Sequence, residues 1–135
     1  MGYTHYYQQN RSFTTKEWND LVDTIHLIIF NAKEAGVVIK GGTGENSQEI
    51  TKDYIGLNGD GSQGLDYETF AISKRIGNKK LSFCKTNKFP YDGVVVSILN
   101  YINQTFNGVL DIDSDGGVDA IIASPYWKPD GQVSK

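Results

Sequence analysis

Thr14-Thr15-Lys16-Glu17-Trp18 opens the stretch TTKEWNDLVDTIHLIIFNAKEAG, residues 14–36, whose reading decides the fold. The Thr14 hydroxyl and the Glu17 carboxylate stand at capping-box spacing, able to satisfy opposing backbone N–H groups, so a helix is expected to start here. Trp18, Leu21, Val22, Ile25, Ile28, Ile29 and Ala32 recur at helical spacing, and Gly36 can take the left-handed conformation that closes such a helix. A stripe of that length needs a layer to cover it.

Working outward, residues 2–7 read as a first strand, and Val37-Val38-Ile39 as a short strand before the loop Gly41-Gly42-Thr43-Gly44-Glu45-Asn46. Residues 54–58, 67–73 and 81–84 read as further strands, separated by Asn58-Gly59-Asp60-Gly61 and by Gly77-Asn78 turn chemistry. Pro90 suits an early position of a second helix, whose stripe is Val94, Val95, Ile98, Leu99, Ile102 and Phe106, with Gly108 as its stop. Residues 109–112 are another strand candidate before the turn Ser114-Asp115-Gly116-Gly117, and residues 118–123 suit a strand or a short helix. From residue 124 the two prolines, Pro125 and Pro129, and the charged end favour an irregular tail. The expected class is α+β: a mainly antiparallel sheet, two principal helices packed on one face, and the other face open to a partner or ligand. Strand order stays open.

With 135 residues, 39% hydrophobic and 12% aromatic, the chain suits one core and one domain over residues 1–135. No apolar run approaches the ~18 residues of a membrane span, and the polar N-terminus lacks the apolar centre of a secretory signal, so a cytosolic protein is expected. The single cysteine, Cys84, can form no internal disulfide, and with two distant histidines it cannot complete a zinc quartet. A net charge of −3 argues against coating duplex nucleic acid. Yet Lys74, Arg75, Lys79, Lys80, Lys85 and Lys88, six of the thirteen cations, lie between Thr69 and Tyr91 with no acidic residue among them. That polarity suits a phosphate-bearing ligand or, equally, an edge strand guarded by lysines.

The opening run Gly2-Tyr3-Thr4-His5-Tyr6-Tyr7 puts flat rings beside hydrogen-bonding groups, which suits a nucleobase. A half-buried strand is the stronger reading of the run by itself, with Tyr3, His5 and Tyr7 on one side and Gly2, Thr4 and Tyr6 on the other. Asp111-x-Asp113-x-Asp115-Gly116 begins like a calcium loop, but position twelve is Ile122 and a strand precedes it, so a turn is expected. A carboxylate there suits a guanine or adenine amino edge and repels phosphate. Gly41-Gly42-Thr43-Gly44 lacks the Walker and dinucleotide fingerprints and reads as a flexible turn. His5, His26 and Cys84 have no evident catalytic partner, and neither cofactor nor metal is expected.

Several separated blocks carry a resemblance: GYTHYY at 2–7, the Trp18 helix, NGDG at 58–61, YETF at 67–70, FCKTNKFPYD at 83–92 and SDGG at 114–117. Their layout resembles a widespread family of small tailed-phage proteins, and within it the anti-CBASS nucleotide sponges, CBASS being a bacterial immune system signalled by cyclic oligonucleotides. The resemblance implies a homotetramer in the cytoplasm of the infected host that binds cyclic dinucleotides such as 3′,3′-cGAMP and sequesters them without cleavage. Combined with residue chemistry, it assigns Tyr3, His5 and Tyr7 to bases, Lys85, Thr86 and Lys88 to phosphates, and Tyr91 and Asp92 to completing the base pocket. Asp92 also suits the positive end of the second helix without any ligand. An enzyme degrading a nucleotide signal and a structural or protein-binding viral module are the alternatives.

Overall fold

The computed structural model describes residues 3–77 and 81–131. In chain order the elements are β1 (Thr4–Gln9), α1 (Thr15–Glu34), β2 (Glu49–Ile50), β3 (Tyr54–Leu57), β4 (Phe70–Ser73), β5 (Leu81–Lys85), α2 (Asp92–Thr105), β6 (Leu110–Ser114) and α3 (Val118–Ile122), with a 3-10 turn at Gly61–Gln63.

The α1 start forms as its sequence dictates. The Thr14 hydroxyl accepts the Glu17 N–H at 3.1 Å, and the Glu17 carboxylate accepts the Thr14 N–H at 2.8 Å. Arg11 adds a two-pronged ion pair to Glu17 at 2.9 and 3.0 Å. The guanidinium and the cap N–H together hold the Glu17 carboxyl at about 2. At the other end the Val37 N–H reaches Ala32 O and the Gly36 N–H reaches Lys33 O, with Gly36 at φ 86°, the two bonds of a Schellman cap. Val37 is thereby spent on closing the helix, and residues 37–39 form no strand; only Lys40 makes an isolated bridge, to Asn58.

The fold is α+β with antiparallel pairing and packed helices, and the strands are divided between two three-stranded sheets, ordered β5-β1-β6 and β2-β3-β4. Tyr7 joins them, its ring 5.3 Å from Phe70 and its hydroxyl donating to Ala71 O at 2.8 Å. On α1, Trp18, Leu21, Ile25, Ile28 and Ala32 are buried, and α1 packs along α2. Full burial of each large aliphatic contributes about 1.5–3 kcal/mol.

The second helix starts at Asp92, after Pro90, and every residue from Val94 to Ile102 is buried. Such all-round burial requires that its polar residues find partners. Ser97 Oγ donates to Gly93 O and accepts the Tyr126 N–H, while Asn100 donates to Ser124 Oγ. The segment after α3 is irregular, as expected, but it packs over α2 through these bonds. Of residues 118–123, Val118–Ile122 form the short helix α3 and Ala123 caps it, and the expected turn residue Asn78 lies outside the described residues. Among the described residues no helix is long and apolar enough to cross a membrane.

Candidate functional site

Strand alternation in β1 separates two populations of side chains. His5 and Tyr7 point inward and are buried, whereas Thr4 and Tyr6 lie on the outer face. Thr4 is flanked by Lys85 of β5 on one side and by Asp115, just past β6, on the other. Above that row opens a cleft of about 950 Å³ lined by Tyr3, Thr4, Lys85, Asn87, Lys88, Asp115 and Gly116.

One wall is the Thr86-Asn87-Lys88 turn. The N–H groups of Thr86 and Asn87 both donate to Tyr3 O, and the Phe89 N–H returns to Thr86 O. To turn that sharply, Asn87 and Lys88 take φ values of 56° and 60°, consecutive left-handed conformations without a glycine. Each costs up to about 1–2 kcal/mol, less for Asn than for Lys, and such outliers concentrate at ligand sites. The Lys88 ammonium lies 4.7 Å from the centre of the Tyr3 ring.

The other wall is the β6 turn. Asp115 is fixed by the Thr4 N–H at 3.1 Å and the Tyr6 hydroxyl at 3.0 Å, the latter raising the Tyr6 phenol above its ordinary value. A Cβ on Gly116 would crowd the Tyr3 hydroxyl and lie 2.9 Å from the Ala120 Cβ, so glycine leaves room for the end of the Tyr3 side chain here. Tyr3 therefore crosses the cleft floor against bare backbone.

Beneath the cleft a buried hydrogen-bonded chain joins the walls. Thr86 Oγ1 donates to Asp92 Oδ1, His5 Nε2 meets the same oxygen at 2.6 Å, and His5 Nδ1 meets Ser114 Oγ at 2.9 Å. The Ser114 oxygen also accepts the Gly116 N–H at 3.1 Å. Since a carboxylate only accepts, Nε2 carries a proton, and in the neutral ring Nδ1 then accepts the Ser114 hydroxyl. The chain Thr86–Asp92–His5–Ser114–Gly116 is thus complete from wall to wall, and Tyr3 closes its upper side with its ring edge-on to His5 at 5.1 Å.

This geometry brings Tyr3, Lys85 and Lys88 to the cleft and corrects the other assignments. Tyr7 and Tyr91 are core residues: their hydroxyls are bonded to Ala71 O and Glu68 O, and their rings are enclosed. His5 and Thr86 are fully buried, so they hold the walls in place and do not touch a ligand there. Asp92 is committed to His5 and Thr86, and accordingly supports the turn instead of completing a base pocket. Sequence reasoning missed Asn87 and Gly116, whose signal is the two-sided turn geometry. It took Ser114 and Asp115 together as exposed turn residues; Asp115 is exposed, whereas Ser114 is buried against His5.

Burial pushes the Cys84 thiol up to about 12, and its Sγ approaches Glu68 O, which removes thiolate chemistry at neutral pH. His26 is exposed on α1, and the Asp111–Asp115 run is a strand end instead of a calcium loop. Lys79 and Lys80 lie outside the described residues. A smaller cleft, of about 270 Å³ between residues 40–45 and 60–66, has Asp60 already bonded to Ser62 and Gln63. No family model, curated protein or solved structure matches this chain.

Proposed function

We propose that this protein is a viral sponge that binds cyclic dinucleotides such as 3′,3′-cGAMP in the cleft above β1 and withholds them from a CBASS effector without cleaving them. It works as a homotetramer in the cytoplasm of the infected bacterium. The observation that carries this reading is the strained Asn87-Lys88 turn, held by a buried polar network and presenting an ammonium over an exposed-edge aromatic ring. Phosphate seeks the ammonium groups of Lys85 and Lys88, and a base seeks the Tyr3 ring. Asp115 opposes them, so the ligand's phosphates are steered toward the lysine wall and its amino edge toward the carboxylate. Sequestration then needs only affinity and sufficient protein.

One arrangement favours a second reading. Asp92, His5 and Ser114 follow one another in the order of a hydrolytic triad, which would make Ser114 the nucleophile of a signal-degrading enzyme. Against it, Ser114 is only 8% exposed and its oxygen is held by the Gly116 N–H. Incubation with a panel of cyclic nucleotides, followed by heat release and mass spectrometry, separates the readings. Recovery of a depleted ligand with unchanged mass supports the sponge. Products of altered mass establish the enzyme, and no depletion at protein excess removes both.

A further inference from the structure

A second aromatic ring stands beside the cleft in the same relation to a lysine as Tyr3. The Lys85 ammonium lies 5.5 Å from the centre of the Tyr67 ring, as Lys88 lies 4.7 Å from that of Tyr3. Tyr67 is 44% exposed, although its backbone is fixed: its N–H donates to the buried Asn58 Oδ1, and its carbonyl accepts from Asn58 Nδ2. Phe89 backs the ring edge-on at 5.7 Å, so its plane is set before anything binds. Glu68 bonds to Lys85 at both its N–H and its carboxylate, and Thr86 bonds to Tyr3 O, so the two tyrosines flank the end of β5.

We infer that Tyr67 is a second base platform, so that the site takes a ligand with two bases and two phosphates, one base on Tyr3 and the other on Tyr67. This rests on the sequestration reading above. Each lysine is parked on its ring in the free protein, where the aromatic face partly replaces water around the ammonium. A stacking base takes over the ring face, and the displaced ammonium moves onto a phosphate oxygen, a stronger charge-assisted partner. Fixed rings and mobile lysines divide the labour: the rings are ordered in advance, and only two flexible stems are immobilised on binding.

The test is calorimetric titration of the full chain with 3′,3′-cGAMP and, separately, with 5′-GMP. Tyr67→Ala is expected to weaken 3′,3′-cGAMP by about 10- to 100-fold, the worth of one stacked base. It leaves 5′-GMP binding unchanged, because a mononucleotide is satisfied on Tyr3 and Lys88. Tyr67→Phe keeps wild-type affinity for both. Should Tyr67→Ala lose its cooperative melt, Tyr67→Ile repeats the test with an apolar contact on Phe89 but no π-face. Undiminished 3′,3′-cGAMP affinity in the alanine or isoleucine variant overturns the second platform, as does equal loss of both ligands. A wild-type protein that takes up no cyclic dinucleotide overturns the sequestration reading itself, which distinguishes the two failures.

Discussion

The inner and outer faces of the β5-β1-β6 sheet carry similar chemistry and do different things with it. His5, Tyr7, Cys84 and Ser114 face inward, while Thr4, Tyr6, Lys85 and Asp115 lie on the outer side, often one residue away. The inner groups are desolvated and therefore satisfied inside the protein: His5 by Asp92 and Ser114, Tyr7 by Ala71 O and Cys84 by Glu68 O. The outer groups are more open: two ammonium groups rest on rings, and the exposed Asp115 carboxylate takes Thr4 and Tyr6 as its donors among the described residues. One face sets positions, and the other makes contact.

Breaking the inner face has the largest expected effect. Asp92→Ala strands the buried His5 and Thr86 at once, and the stability measured by urea unfolding is expected to fall by about 2–3 kcal/mol. An unchanged midpoint would mean that the network does not support the cleft walls. The outer face responds in the opposite sense. Lys88→Ala should cost about 10-fold or more in 3′,3′-cGAMP affinity, as the loss of a charge-assisted phosphate contact, while unfolding stays within about 0.5 kcal/mol of wild type. Equal damage to folding and binding would erase the distinction between the faces.

Backbone strain sharpens the comparison further. Because residue 88 sits at φ 60°, Lys88→Gly is expected to be more stable than Lys88→Ala by about 1 kcal/mol in the same unfolding experiment, reversing the usual penalty for glycine. A smaller effect lies far from the cleft. Glu17 is held at about 2 in the folded chain against an ordinary value of 4.5. Its contribution is complete above the ordinary value and is lost as pH falls from there toward 2, since the unfolded chain takes up the proton first. Glu17→Gln should therefore flatten the decline in melting temperature across that range while leaving ligand affinity unchanged.

Local chemistry made the helices legible in the sequence. The Thr14–Glu17 box and the 3.6-residue stripe involve neighbours in the chain, so nothing distant had to be known. The division into two sheets was not legible, because it depends on which strands meet across long separations, as β1 does with β5 and β6. The alternation of Tyr3, His5 and Tyr7 on one side was readable, but whether that side faced core or solvent was not. Distant partners decide it, Asp92 for His5 and Phe70 with Ala71 O for Tyr7, and the same ambiguity hid Thr86, whose hydroxyl turns inward to Asp92. Lys85 and Lys88 were readable because charge at the end of an edge strand seldom has anywhere to go but out. Asn87 is a residue type that tolerates the left-handed region, but Lys88 beside it carries no mark of the second left-handed conformation, and Tyr67 resembles any strand tyrosine until Lys85 is seen above it.

The central claim, that ligand is taken on the outer cleft and the inner face only supports it, is tested most directly by following backbone amide resonances of the labelled protein as 3′,3′-cGAMP is added. The account predicts saturable shifts concentrated at residues 3–4, 67, 85–88 and 115–116, with the smaller cleft around residues 40–45 and 60–66 silent. Shifts centred on that second cleft, or none at saturating ligand, would contradict it.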